Sequence, residues 1–252
     1  MNPKFHKSGF SLTEVLLALG TLTVGLTLIS GTFIAGIYLS TVSTERTIAT
    51  IIADEAFAKI QLYGIDLLDP NIADNKQISF KSFGTIPPDE DEQYAYPSTK
   101  IPGDKQYYWS ALCRPLSAGS NNKLVQITVF VTRKVGNVMY PSNSPDAPDS
   151  YRPIPIEIGV SLASGLDSSN KLVISAQNEQ SYINDGSRIV DNRTGRIYRV
   201  VERSSDNPDT ITLDRPWEDN IADSVWVVPP PIGGGRKPDI AIFQKVIRFN
   251  YN

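Results

Sequence analysis

The organisation of this 252-residue chain is decided by residues 7–44, KSGFSLTEVLLALGTLTVGLTLISGTFIAGIYLSTVST. The last thirty of these residues, Val15–Thr44, contain no Asp, Glu, Lys or Arg. A helix of about 20 apolar residues is enough to cross a bilayer core, so we predict a membrane-spanning helix over about residues 15–39. A secretory signal peptide fits poorly, because its apolar core is only about 7–15 residues long and ends at a small-residue cleavage site.

The charges that flank this segment predict its orientation. Lys4, His6 and Lys7 lie upstream, and the first charges downstream are Glu45 and Arg46. Positively charged flanks stay on the cytoplasmic side of a membrane. We therefore expect a single-pass protein with a short cytoplasmic N terminus and with its bulk outside the cytoplasm.

Glu14 is an ionisable group at the start of the apolar run, and KSGFSLT precedes it. A carboxylate costs up to about 2.5–3.5 kcal/mol at mid-bilayer and less near the interface. The sequence K-S-G-F-S-L-T-E-V-L-L-A-L resembles the leader and cleavage motif of the type IV prepilin family, which includes pilins and the pseudopilins of type II secretion. The resemblance covers about the first thirty residues.

This resemblance implies a processing pathway. A prepilin peptidase would cut after Gly9, remove residues 1–9 as a leader and methylate the new amine of Phe10. The apolar segment would be retained, and Glu14 would neutralise the terminal amine of a neighbouring subunit and so set the axial register during assembly. The implied partners are the prepilin peptidase, other pilin or pseudopilin subunits, an inner-membrane assembly platform and membrane lipid. The implied location is the inner membrane, with the bulk in the periplasm or in a cell-surface filament.

Elementary chemistry agrees with these implied roles. Gly9 has no side chain, which suits close approach of a protease to the backbone. Cleavage there creates a positive amine on Phe10, and a buried charge persists when it is paired. The alternative interpretation is that Glu14 only reaches the interface from a single-pass anchor.

The helical pattern continues beyond the apolar segment. Apolar residues recur at helical spacing at Ala49, Ile52, Ala53, Ala56, Phe57 and Ile60. Gly64 offers a C-terminal stop. We predict one helix over residues 10–62, whose second half lies under a globular head.

Two alternating segments predict a strand pair in a pilin-like β head over residues 63–140: Tyr107–Arg114 and Val125–Thr132, joined by a hairpin loop at Gly119–Asn122. A short strand is predicted around Ile78–Phe83. The pattern Y-x-W … R-P … L-V-Q-I-T-V-F-V-T-R looks like the minor pilin or minor pseudopilin branch. Trp109 and Cys113 are interpreted as core residues.

A second module should follow a Pro-rich linker at residues 141–155. We predict a small β-barrel or sandwich over residues 156–252, with strands at Ile156–Leu162, Leu172–Ala176, Arg188–Asp191, Ile197–Val201, Thr210–Leu213, Val225–Val228 and Ile240–Phe249. The predicted fold class is therefore α+β: a long N-terminal transmembrane and amphipathic helix packed on a small antiparallel sheet, followed by a small all-β module.

Composition excludes several classes of function. The single cysteine, Cys113, excludes an intramolecular disulfide. The single histidine, His6, lies in the implied leader, so imidazole-dependent catalysis and His-ligated zinc are excluded from the mature chain. A net charge of −3 provides no field that would attract nucleic acid. We expect no enzyme activity, no cofactor and no nucleic-acid partner.

Four further features receive a structural interpretation. Asp89–Glu92 could supply calcium ligands, but the spacing matches no EF-hand and a solvated acidic loop is favoured. Gly233–Pro238 lacks the Ser or Thr after Lys that a P-loop needs. Two sets of side chains are assigned to solvated faces and exposed turns: the arginines Arg188, Arg193, Arg196 and Arg199, and the carboxylates Asp185, Asp191 and Asp214.

The sequence thus favours a structural filament subunit, a minor pilin or pseudopilin. The alternative is a single-pass, membrane-anchored binding or adhesion module that does not polymerise. Both functions place the working surfaces outside the cytoplasm.

Overall fold

The computed structural model describes most of the chain in eight segments. They are residues 9–65, 76–80, 91–97, 106–116, 124–136, 138–142, 150–164 and 168–249. The chain divides into two compact units, residues 1–47 and residues 48–252.

Helix α1 spans Leu12–Tyr63, close to the predicted 10–62. Its N-terminal part is apolar and long enough to cross a membrane: an 18-residue window has a mean hydropathy of 1.9 and none of it is buried. The buried residues of α1 are the six predicted ones: Ala49, Ile52, Ala53, Ala56, Phe57 and Ile60. Gly64 ends the helix at φ +75°, and its N–H donates to the Ile60 carbonyl at 3.0 Å, so the predicted stop is confirmed.

An antiparallel sheet packs on the second half of α1. Its strands are β1 (Ile78–Ser79), β2 (Ala95–Tyr96), β3 (Tyr107–Pro115), β4 (Leu124–Arg133) and β11 (Asp239–Arg248), in the order β1-β3-β4-β11 with β2 also pairing with β3. The predicted β3–β4 pairing is confirmed, with Trp109 opposite Val131. The predicted hairpin loop at 119–122 lies outside the described residues, as do the last three residues of the predicted strand 78–83.

The intervening strands form a closed antiparallel barrel. They are β5 (Ile156–Leu162), β6 (Lys171–Ile174), β7 (Arg188–Asp191), β8 (Ile197–Arg203), β9 (Thr210–Leu213) and β10 (Ser224–Val227). The barrel order is β10-β5-β6-β9-β8-β7, and β7 pairs with β10 to close it. Of the two predicted alternatives for this module, the barrel is the one observed. Together with α1 and the sheet it confirms an α+β fold of a long apolar helix and antiparallel sheets.

The last strand corrects the predicted division of the chain. We predicted a strand at 240–249 within the C-terminal module, but β11 pairs with β4 instead, from Asp239 opposite Thr132 to Arg248 opposite Leu124. The barrel closes without β11. It is therefore an insertion between two neighbouring strands, and the Arg133 N–H donates to the Pro238 carbonyl at 2.8 Å where the chain leaves and re-enters the sheet. Alternation of apolar residues predicts that a strand forms, but it does not predict which strand it pairs with.

The predicted Pro-rich linker is also corrected in its described part. Tyr140 is fully buried and forms an isolated bridge with Ser150. Arg152 is buried as well: its Nη1 donates to the Trp109 carbonyl at 3.3 Å, and its guanidinium lies 4.3 Å from the centre of the Tyr94 ring. These contacts hold the segment against the sheet, because the buried cation interacts with an aromatic ring and a carbonyl there. Residues 143–149 lie outside the described residues.

The two faces of the sheet bury different partners. Side chains from alternate positions of β3 and β4, such as Trp109 and Val129, share one apolar core with α1. The opposite face contacts the barrel in a smaller core formed by Leu112, Phe130, Val190, Trp226 and Val228. The barrel has its own interior around Ile158, Leu172 and Val200. The sheet is therefore sandwiched between the helix and the inserted barrel.

Candidate functional site

The N-terminal segment positions the predicted site residues at the beginning of α1. Gly9 and Phe10 precede the helix, and the Phe10 side chain is 84% exposed. The Ser11 carbonyl accepts the first helical bonds, from the N–H groups of Glu14 at 3.0 Å and Val15 at 3.2 Å. Glu14 thus lies in the first turn, where a carboxylate interacts favourably with the helix dipole.

No described residue packs against position 9 closely enough to require glycine there. A Cβ atom built on Gly9 meets no heavy atom within 4 Å, and its φ lies outside the left-handed region. The glycines of the apolar half of α1, such as Gly20, have equally open surroundings. Within the described residues, packing therefore does not impose glycine at position 9, and a partner that approaches the backbone would be a source of such a requirement.

Glu14 is exposed and forms no ion pair with any residue that the structure describes. Among the described residues its carboxylate is thus left open to a positive group. The structure places Gly9 and Phe10 just before α1 and Glu14 in its first turn. The three predicted site residues are thus adjacent, and none contributes to a folded core.

A continuous apolar surface follows Glu14. Between residues 15 and 39 the large apolar side chains of α1 are all at least 44% exposed. They are Val15, Leu16, Leu17, Leu19, Leu22, Val24, Leu26, Leu28, Ile29, Phe33, Ile34, Ile37, Tyr38 and Leu39. An exposed apolar surface of this extent needs lipid or other protein to cover it.

The four predicted surface arginines are mostly engaged in local contacts. Arg188 donates to the Ile240 carbonyl at 2.9 Å and lies 4.0 Å from the Asp239 carboxylate. Arg193 pairs with Asp219 at 3.5 Å, and Arg196 pairs with Glu218. Acidic partners therefore offset the positive charge of Arg188, Arg193 and Arg196.

The three predicted turn carboxylates differ in their exposure. Asp185 and Asp214 are exposed and accept backbone N–H bonds, from Arg203 at 2.8 Å and from Arg199 at 3.0 Å. Asp191 is 2% exposed, which corrects the expectation of an exposed role. It remains a turn residue, because its Oδ1 accepts the Arg193 N–H and its Oδ2 accepts the Thr194 N–H and hydroxyl.

The metal and nucleotide alternatives gain no support from the described residues. No group of three or more His, Cys, Asp or Glu side chains suited to a metal occurs in the described segments. The side chains of the acidic cluster at 89–92 lie outside them. Gly233, Gly234 and Gly235 form a loop with φ of 87°, 87° and 136°, and a strand follows where a P-loop would begin a helix.

The predicted core residues are buried as expected. Trp109 and Cys113 are each 1% exposed and belong to the core between sheet and helix. Burial raises the pKa of the Cys113 thiol far above its ordinary value. The thiol is therefore protonated and inaccessible at neutral pH.

Asn192 is a structural residue that the sequence analysis did not identify. Its Oδ1 accepts bonds from the Gln77 N–H and the Trp226 Nε1–H, both at 3.0 Å. Its Nδ2 donates to Glu157 at 2.7 Å and to Ser224 at 2.8 Å. It joins the barrel to the strand-β1 segment of the sheet, and only the tertiary structure brings these partners together.

Comparison with known proteins gives no family assignment: no family model, no curated protein and no solved structure matches this chain.

Proposed function

We propose that this chain is a structural subunit, a minor pilin or pseudopilin, of a type IV pilus or a type II secretion pseudopilus. It would be processed by a prepilin peptidase and assembled through its N-terminal helix. The observation that carries the proposal is the placement of the cleavage-like motif Gly9-Phe10 and Glu14 at the beginning of one helix, α1. The apolar surface of that helix is exposed up to about residue 39, and one stripe of its second half, from Ala49 to Ile60, is buried against the sheet.

The chemistry of assembly follows from these positions. Cleavage after Gly9 would leave a positive amine on Phe10, close to the level of Glu14 on the same helix. Opposite charges 4 Å apart attract by about 4 kcal/mol at an effective dielectric constant of 20. Pairing the amine of one subunit with Glu14 of the next would therefore favour one axial register while both charges leave water.

The inserted barrel supports a minor position in the filament. It enlarges the head on the sheet face opposite α1, and a head of this size in every subunit would crowd a helical lattice. A subunit at the filament tip, or one that occurs only occasionally along the filament, could carry the barrel without crowding its neighbours.

The proposal is tested by intact-mass and N-terminal peptide mass spectrometry of the chain from its native membrane, in cells with and without the prepilin peptidase. The expected result is a chain that begins at methylated Phe10 only when the peptidase is present. A chain that begins at Met1 in both strains would contradict the proposal. It would favour the alternative, an anchored binding or adhesion module that does not polymerise.

A further inference from the structure

A groove in the inserted module lies between the 3₁₀ helix Gln177–Tyr182 and the run Pro230–Gly235. Its volume is about 730 Å³, within the range of about 300–1,000 Å³ typical of small-molecule sites. The Ile232 N–H donates to the Met139 carbonyl at 2.9 Å and the Gly234 N–H to the Pro231 carbonyl at 3.0 Å, so backbone hydrogen bonds hold this wall in place.

Arg203 is the one charged residue among those that line the groove in the described part of the chain. Its Nε donates to the Pro208 carbonyl at 2.7 Å, and its own N–H donates to Asp185 at 2.8 Å. These bonds hold the backbone of Arg203 and the Nε of its guanidinium in place. The two terminal nitrogens form no hydrogen bond with any described residue, and together they match the two oxygens of a carboxylate.

Neutral hydrogen-bonding groups occupy the remaining polar surface. The Asn178 amide and the Ser181 hydroxyl are exposed and have no partner among the described residues. The backbone N–H groups of Gly233 and Gly235 likewise form no hydrogen bond with a described residue. An amide and a hydroxyl each both donate and accept, which is the requirement for recognising sugar hydroxyls.

Apolar groups complete the lining. Tyr182 is half-buried, its ring is partly packed on the barrel core, and it lines the groove. Ile232, 49% exposed, lines the opposite wall beside Pro231. A half-buried ring offers a flat apolar face to a pyranose ring, and apolar walls with a few placed polar groups are typical of small-ligand sites.

We propose that this groove binds a saccharide that carries a carboxylate. Arg203 pairs with the carboxylate, Asn178, Ser181 and the glycine N–H groups bind the hydroxyls, and Tyr182 packs against a sugar ring. The proposal does not rest on the filament function, because an anchored module that does not polymerise would retain the same groove.

The test is isothermal titration of the detergent-solubilised full chain with hyaluronan tetrasaccharide, which alternates glucuronate and N-acetylglucosamine. Chitotetraose is the neutral comparison and tetraglutamate the acidic peptide comparison. The variants are Arg203→Gln and Asn178→Ala. Arg248→Gln is the matched control, since it removes the same charge at an exposed site on strand β11 of the sheet.

We expect saturable binding of hyaluronan tetrasaccharide that weakens at least about tenfold in Arg203→Gln, which is the loss of about 1.4 kcal/mol. Asn178→Ala should weaken binding less, and Arg248→Gln should leave it unchanged. Chitotetraose should bind at least about tenfold more weakly than the acidic saccharide. Absence of saturable binding, equal binding of tetraglutamate, or an Arg203→Gln variant that binds like the wild-type chain would each overturn the proposal.

Discussion

At the scale of single residues, no contact with a described residue accounts for glycine at position 9, and Glu14 forms no ion pair with a described residue. Gly9 has open space where a side chain would lie, and Glu14 is exposed at the beginning of an apolar helix. Cys113 is the opposite case, since it is buried in the apolar core between the sheet and α1. These residues provide three separate tests of processing, assembly and packing.

Gly9→Val is expected to leave the precursor uncleaved, because a branched side chain would block approach to the backbone at the cut. The measurement is the intact mass of the chain in cells that contain the peptidase. Gly20→Val is the matched control: Gly20 also has open surroundings but lies beyond the implied cut, so this variant should be processed normally. Normal cleavage of Gly9→Val would contradict the assigned site.

Glu14→Ala is expected to permit cleavage but to reduce incorporation into filaments by about tenfold or more, since each 1.4 kcal/mol of lost pairing is a factor of ten. The measurement is the fraction of subunit in sheared and purified filaments. Asp54→Ala removes a carboxylate exposed on the second half of the same helix and serves as the control. Normal incorporation of Glu14→Ala would show that pairing with the terminal amine is not the assembly mechanism.

Cys113 is expected to resist thiol reagents in the folded chain. Burial blocks access, and the raised pKa keeps the thiol protonated, whereas the thiolate is the reactive form. Reaction with a chromogenic disulfide at pH 8 should be undetectable until denaturant is added, when it should reach one equivalent per chain. Rapid reaction before denaturation would contradict the buried position.

At the scale of elements, α1 has two different surfaces on one continuous helix. Its first part exposes apolar side chains around the whole circumference, as expected of a helix that contacts lipid or other helices. From Ala49 onward only one stripe is apolar and buried. The apolar surface of the first part has no covering residue in the described structure, whereas the stripe from Ala49 onward is covered by the sheet of the same chain.

Ile51 and Ile52 lie on different faces of the second half of α1. Ile52 is fully buried and Ile51 is 51% exposed. Ile52→Ala should lower the free energy of unfolding by about 3 kcal/mol, because it leaves a cavity in the helix–sheet core. Ile51→Ala should change it by less than about 0.5 kcal/mol. The measurement is urea unfolding in detergent followed by tryptophan fluorescence, and equal effects of the two variants would contradict the assigned packing face.

At the scale of the whole molecule, the barrel is an insertion whose two ends meet. Arg133 and Pro238 are joined by a backbone hydrogen bond, and β4 and β11 are neighbours before and after the insertion. The sheet that packs on α1 is therefore complete only when β11, the last strand, pairs with β4. The barrel attaches to it through the core around Phe130 and the hydrogen bonds of Asn192.

Replacing residues 134–237 with an Asn-Gly turn should leave the sheet folded, because such a turn suits neighbouring antiparallel strands. Leu112, Phe130 and Ile242 would be changed to Thr in this variant, since they lose their barrel contacts. Trp109 would then be the only tryptophan, so its blue-shifted emission directly reports an intact core. Processing at Gly9 should be unchanged.

Deleting residues 156–252 is the contrasting variant. It removes β11 together with the barrel and should expose Trp109, with red-shifted emission, while membrane insertion and processing persist. A native-like Trp109 signal in this deletion, or its loss in the variant with the Asn-Gly turn, would contradict the insertion topology.

The sequence by itself determined the local structure of this protein. The charge-free run ending at Thr44, the apolar stripe that ends at Ile60 and the alternation in β3 and β4 each depend on neighbouring residues, so periodicity was enough to predict them. The motif at Gly9 and Glu14 is local for the same reason. Only the tertiary structure decided that β11 pairs with β4, that Asp191 is buried and that Arg203 lies in a groove. These features join residues far apart in the chain, and a local pattern specifies that a strand or turn forms without specifying what it packs against.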